Sequence, residues 1–214
     1  MFDDLQAIIA YATSRKKSAI AQKYIENCLT LDKKKFDIRF WVLVTNWNPL
    51  TLWCYEPYFR LCTEDHSLDM HSLSNPFQHL CNRCVQEHHE EYEDEDGEDG
   101  MMWSVGTFIE HINAKGEDGE EVYNMIRAQM QQVALYSMHS CQEMIDNKPG
   151  CFEWFGLDFM VDTDYNVWNL ECNIRCPPRP CPSPRTRAEH PPTSRARAVP
   201  CVSPKCLRLR VYLV

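Results

Sequence analysis

No run of about 18 apolar residues occurs in this 214-residue chain, so no transmembrane helix is expected. The opening Met1-Phe2-Asp3-Asp4 is acidic where a secretory leader would be basic, so a signal peptide is not expected. There is no Walker-type phosphate loop and no G-x-G-x-x-G. Cys81-Asn82-Arg83-Cys84 has no second C-x-x-C at zinc-ribbon spacing, which argues against a structural zinc. No internal repeat is evident. Without a leader, the twelve cysteines are expected as reduced cytosolic thiols rather than a disulfide framework.

What is present is an ordinary globular composition, 44% hydrophobic and 25% charged, enough for one sizeable domain. The net charge of −9 is unevenly spread. From Ile174 onward nine Lys/Arg face one acid, a net of +8, which leaves −17 on residues 1–173. Nine of the thirteen prolines also lie in that tail, so 175–207 is expected to be disordered. A basic tail could bind an acidic partner; a foreign C-terminus is the alternative. Glu87–Asp99 holds nine acids in thirteen residues and reads as a solvated insertion, with His88 and His89 in a surface loop. Such a run disfavours nucleic acid as a partner.

Periodicity predicts a helix over 3–13, a short strand over Ala19–Glu26, and a strand over Lys35–Thr45. A turn at Asn46–Pro49 then leads to a hairpin partner over Leu50–Tyr55. Helices are expected over Pro76–His88 and Met102–Ile112. A long amphipathic helix carries Val122, Ile126, Met130, Val133, Met138, Cys141 and Ile145, and Asn147-Lys148-Pro149-Gly150 ends it.

The most informative segment is Phe155–Asn173, two alternating strands around Thr163-Asp164-Tyr165-Asn166. Leu157, Phe159 and Val161 share one face of the first strand; Trp168, Leu170 and Cys172 share one of the second. Asp158 and Asp162, then Asn169, Glu171 and Asn173, take the other faces. A two- or four-residue loop sets Asp158 opposite Glu171, with Asn173 two residues along. Opposed carboxylates repel, so a hard cation such as Mg²⁺ shared with phosphates is one explanation, and a solvated polar face is the other. Upstream, Lys35, Asp37 and Arg39 share a strand face while Phe36, Ile38 and Phe40 face the core. That row reads as an anion site, Lys as a point charge and Arg as a fork. Arg60, on the returning hairpin strand, could converge on it or form a surface salt bridge.

Taken together, Gln22-Lys-Tyr-Ile-Glu26, Lys35–Thr45, Arg60, His79-Leu-Cys-Asn82, Phe155–Asp162 and Asn169–Asn173 resemble the tubulin tyrosine ligase-like family of ATP-grasp ligases. Thr45-Asn-Trp-Asn-Pro-Leu-Thr51 and the Cys of His-Leu-Cys-Asn are most similar to its glycine ligases. The resemblance implies an α/β (α+β) fold, a partial ATP-grasp domain over 1–174 with an acidic insertion at 87–100, its mostly antiparallel sheet packed by helices. Residues 175–214 would form the tail. It implies ATP and Mg²⁺ as cofactors, and a reaction joining an amino acid, best glycine, to glutamate side chains of tubulin through an acyl phosphate. A tubulin glutamate ligase, or a non-catalytic relative binding tubulin or nucleotide, are the alternatives. Gln22, Lys23, Tyr24 and Ile25 would line adenine; Lys35 and Asp37 would contact the nucleotide; Cys81 and Asn82 would take its ribose–phosphate side. Arg39 would face the reacting phosphate, Arg60 would hold the amino-acid carboxylate, and Asp158, Glu171 and Asn173 would be the metal ligands. A monomer acting on microtubules in cytoplasm and cilium is implied, with neither nucleic acid nor membrane as partner. The family's upstream lobe and its basic glycine-rich loop are missing, and Ile174-Arg-Cys-Pro-Pro replaces the usual continuation. The chain is therefore expected to be an inactive or partial fragment.

Overall fold

A computed structural model describes residues 4–14, 22–69, 71–90, 92, 100–174 and 197–199. Among them the organising element is one long strand, β2 (Lys34–Trp47), preceded by the short β1 (Thr30–Leu31). β3 (Leu50–Cys54) pairs antiparallel with the second half of β2, and β4 (Tyr58–Asp65) pairs antiparallel with its first half. β6 (Glu153–Val161) runs along the opposite edge, from Ile38↔Phe159 to Val44↔Glu153. β7 (Val167–Ile174) then adds outside β6, and β5 (Met102–Trp103) outside β4. Every one of these pairings is antiparallel, as the sequence leads one to expect.

Alternation along β2 sends Phe36, Ile38, Phe40, Val42 and Val44 to one face, each at most 1% exposed. Against this face pack α3 (Val105–Ala114) and α4 (Gly119–Cys141), with the rings of Phe59 and Phe108 stacked at 4.5 Å. The α4 residues Val122, Ile126, Met130, Ala134 and Met138 recur every four positions and are buried. Ser104 caps α3 and Asp118 caps α4 by accepting backbone N–H bonds. The two helices meet at Gly119, where a Cβ would lie 2.4 Å from the Ile109 carbonyl oxygen. α1 (Leu5–Ser14) is capped by Asp4 and buries no residue.

Several expectations are corrected. Of Ala19–Glu26, residues 22–25 belong to no strand and 26–27 form a turn; 19–21 lie outside the described residues. Pro76–His88 is not one helix but a 3-10 turn, Pro76–Gln78, and a short α2 (Arg83–Gln86) around a non-helical link. That link is stabilised from the side: Gln86 donates to the Leu80 carbonyl at 2.6 Å, and Thr63 Oγ1 donates to Gln86 at 2.8 Å. Met102–Trp103 is a strand ahead of α3. Arg60 sits on β4, not on the hairpin partner β3. Most of the acidic run and of the tail lies outside the described residues, but Arg197–Val199 pairs with Leu52–Cys54 as β8, so this part of the tail joins the sheet edge. All described cysteines are free thiols. No described helix is long and apolar enough to cross a membrane.

Candidate active site

The polar face of β2 is where the charged residues converge. Lys35 and Asp37 are each 5% exposed, although they point away from the core. Burial of charge at this level requires partners. Arg60, directly opposite Asp37 in the β2–β4 ladder, donates from Nε and Nη2 to the two Asp37 oxygens, both at 2.6 Å. Arg39 lies opposite Asp158 in the β2–β6 ladder; its Nε is 2.5 Å from Asp158 Oδ1, and its Nη2 donates to Oδ2 at 3.1 Å. Arg60 Nη2 also reaches Asp158 Oδ1 at 3.1 Å. The two arginines and two aspartates thus form one buried network, spread over three strands. Arg60 is neither a surface salt bridge nor disengaged: its fork is closed on Asp37.

Burial raises the Asp37 carboxyl, against the opposing pull of Arg60, Arg39 and Lys35. Burial works against the Arg60 charge, and the Asp37 bonds outweigh it, raising the guanidinium further. Asp158 is pushed up to about 6, chiefly by burial, with Arg60 opposing and a hydrogen bond shared with Glu171 adding to the rise. Glu171 is lowered, first by Asn173, which donates to its Oε1 at 2.9 Å, then by Asp158.

Asp158 does stand opposite Glu171, but by a different route from the simple hairpin. At the turn, Val161 pairs with Val167, one residue out of step with Asp158↔Glu171; a β-bulge at Leu170 restores the register. Asp162 builds that turn. Its carboxylate accepts from the Asp164 and Asn166 backbone at 3.0 and 2.9 Å, and from the Trp168 indole at 2.9 Å. Burial alone would raise Asp162; the Trp168, Asn166 and Asp164 bonds together outweigh it and bring it below the ordinary carboxylate range. The bulge also changes the faces: Trp168 turns to Asp162, and Leu170 lines the cleft beside Glu171 rather than facing away from it.

That cleft, about 420 Å³, lies over the polar face of β2. Its lining includes Gln22, Lys23, Tyr24 and Ile25, Lys35 and Asp37 from β2, Cys81 and Asn82, and Asp158 and Glu171. Segments far apart in the chain, quoted above for the resemblance, therefore meet around one cavity. Arg39, Arg60 and Asn173 do not line it, but bond to residues that do. Leu73, Asn75, Pro76, His79, Met160 and Leu170 also line it and were not singled out as site residues. For His79 the signal was its place in His79-Leu-Cys-Asn82; for Met160 it was the strand alternation that puts it between Asp158 and Asp162. Cys81 is buried, its Sγ 3.5 Å from that of Cys62, while Cys84 is exposed, so the C-x-x-C pair does not converge.

A divalent cation fits the residues present. No described group of three His, Cys, Asp or Glu makes a metal cage, but Mg²⁺ bound with phosphates needs only one or two carboxylates. Asp158 and Glu171, which line the cleft and share a hydrogen bond, are the two that could serve, with Asn173 bonded to Glu171 beside them; Asp158 would then give up part of its bonding to Arg39 and Arg60.

In class this is an α+β protein of the ATP-grasp kind, its site built on a mostly antiparallel sheet. The sequence matches the tubulin-tyrosine ligase family over residues 1–182, and the chain belongs to that family. It is 38% identical over 175 residues to tubulin glycylase 3C of Tetrahymena thermophila, covering 80% of this chain and 16% of that protein. It is 35% identical over 166 residues to protein monoglycylase TTLL8 of Homo sapiens, covering 75% and 19%. To the probable alpha-tubulin polyglutamylase Ttll1 of Tetrahymena thermophila it is 29% identical over 163 residues, covering 76% and 38%. The chain thus spans a minor part of the length of the relatives it matches.

Proposed function

We propose that the protein carrying these residues is an ATP- and Mg²⁺-dependent ligase that joins an amino acid, best glycine, to glutamate side chains of tubulin. The observation that carries this is the convergence of Tyr24, Lys35, Cys81, Asp158 and Glu171 around one cleft, in a chain of the tubulin-tyrosine ligase family. Glycylases among its relatives favour glycine; a polyglutamylase among them keeps glutamate as the second reading.

Each residue has a part in this reading. Gln22–Ile25 form the wall for the base, and Lys35 presents its ammonium to the phosphates. Asp158, Glu171 and Asn173 would hold Mg²⁺, which would supply positive charge beside the phosphates. The terminal phosphate moves to the glutamate carboxylate, giving ADP and an acyl phosphate; for Arg39 to face that phosphate, its fork must turn from Asp158 towards the cleft. The amine of the incoming amino acid attacks that carbonyl, and phosphate leaves as the amide forms. For Arg60 to grip the amino-acid carboxylate, its fork must turn from Asp37 or share its remaining edge. In this reading residues 1–174 are the ligase-type domain and 175–214 an appended tail, acting on microtubules in cytoplasm or cilium as a monomer.

The test is to incubate tubulin, ATP and labelled glycine, glutamate or tyrosine in parallel with the whole protein that carries these residues. Glycine incorporation with ADP release is expected. Glutamate or tyrosine incorporation without glycine overturns the donor, and no ATP-dependent incorporation of any of the three overturns the ligase reading. Turnover by these 214 residues alone would overturn the expectation that they are a partial unit.

A further inference from the structure

One chain of hydrogen bonds in the cleft wall has a polarity that a backbone carbonyl sets for a neutral His79. His79, 4% exposed, places Nε2 3.0 Å from the Ser72 carbonyl oxygen. A carbonyl only accepts, so Nε2 carries the proton and Nδ1 of the neutral ring is left as an acceptor. Nδ1 lies 3.0 Å from the Tyr24 hydroxyl, which must therefore donate to it. The lone pairs of that hydroxyl face Lys35, whose Nζ donates to it at 3.1 Å and to the His79 backbone carbonyl at 2.8 Å. The Lys35 ammonium also stands over the Tyr24 ring, 4.4 Å from its centroid. Packing fixes the ring positions: Tyr24 meets His79 edge-on at 5.8 Å, and His66 stacks on Tyr24 at 6.3 Å.

We propose that His79 and Tyr24 are positioning residues, a fixed relay that holds the Lys35 ammonium in the cleft wall, aimed at the polyphosphate of a bound nucleotide. This rests on the nucleotide reading of the cleft. A lysine side chain carries about four free torsions and three donors. Here two donors are committed, to Tyr24 and to the His79 carbonyl, and the third remains for a phosphate oxygen. Preorganisation of this kind removes the cost of ordering the side chain on binding. His79 acts at one remove, through the Tyr24 hydroxyl, and from both its ring and its backbone.

The test compares Tyr24→Phe, His79→Leu, the double variant and His79→Asn, whose side-chain oxygen can take the place of Nδ1 as acceptor. The first readout needs no nucleotide: the rate at which an amine-acylating reagent modifies Lys35, followed by peptide mass spectrometry. Acylation is expected to rise about tenfold in Tyr24→Phe and in His79→Leu, the scale of a lost hydrogen bond to a charged group. The double variant is expected to rise no further, because both changes cut one relay, and His79→Asn is expected to stay near wild type. The second readout is Mg-ATP affinity in the whole protein, expected to fall about tenfold in the same variants and to recover in His79→Asn. Losses that add in the double variant, unchanged Lys35 acylation, or no rescue by His79→Asn in a folded protein would each overturn the relay. Altered acylation with no Mg-ATP binding by wild type would leave the relay standing and overturn the nucleotide reading.

Discussion

The two halves of β2 share one core face and differ in everything on the other side. In Lys35–Arg39 the second face is buried too, and what buries it is charge: Lys35 on Tyr24, Asp37 on Arg60, Arg39 on Asp158. In Trp41–Thr45 the second face is half-covered by rings, with Trp41 at 6.0 Å from Trp154, Tyr55 at 4.9 Å from Trp154, and the Trp53 indole donating to Thr45 at 3.0 Å. One strand therefore serves as the floor of a site and as ordinary sheet. The difference lies in what faces each half: β4 beside the first, β3 beside the second, and the two ends of β6 across from them. Tolerance to substitution should divide at the same point.

The largest effect is expected from Asp37→Asn, which leaves Arg60 buried with half its partners lost. It should cost about 3 kcal/mol or more in thermal or urea unfolding. Glu171→Gln tests the same half through ligand rather than fold: Mg-dependent nucleotide binding should be lost while the melting temperature stays within a few degrees. Unchanged Mg-ATP affinity would remove Glu171 from the metal set. Gly156 marks the boundary between the halves, because a Cβ there would come within 2.9 Å of both Arg39 Nη1 and the Trp41 ring. Gly156→Ala should cost about 1–3 kcal/mol by crowding both, and a neutral result would mean that the halves adjust independently. In the ring-covered half, Thr45→Val removes a single exposed bond and should cost less than about 1 kcal/mol. If Thr45→Val costs as much as Asp37→Asn, the comparison fails.

The smallest effect concerns acid. Burial lowers His66, His79 and His111 below the ordinary histidine range. A group lowered on folding contributes stability above its unfolded value, and loses it as pH falls towards the folded one. Part of the stability should therefore disappear between about pH 7 and 5. His79→Asn should make that limb shallower, and an identical pH profile in the variant would show that His79 does not titrate there.

Much of this was legible where periodicity is strong. The alternation of Phe36, Ile38 and Phe40 against Lys35, Asp37 and Arg39 marked the two faces of β2 correctly, and the apolar spacing of three to five from Val122 onward marked α4, although the helix ends at Cys141, short of Ile145, in a 3-10 turn over Gln142–Met144. The opposition of Asp158 and Glu171 was legible as well, yet from an idealised turn; the bulge at Leu170 that produces it depends on how Asp162 gathers its donors, which pairing rules do not contain. The stretch around His79 was misread as helix because its backbone is satisfied from outside. Lys35 bonds the His79 carbonyl and Gln86 the Leu80 carbonyl, partners that only the folded sheet supplies. Arg60 was placed on the wrong strand for a related reason: composition signals a returning strand but not whether it lies beside the first or second half of β2.

The Asp162 turn also bears on the order of assembly. Its bonds span at most six residues, so β6 and β7 can pair early, from local chain alone. That same pairing brings two carboxylates face to face before any cation is near, since Arg39 is 119 residues from Asp158 in the chain. The ribbon should then be a reluctant nucleus, completed only when β2 docks and its guanidinium arrives. On this view Arg39 is as much a folding latch as a site residue. Substitutions at Arg39 should therefore slow folding as well as weaken the site.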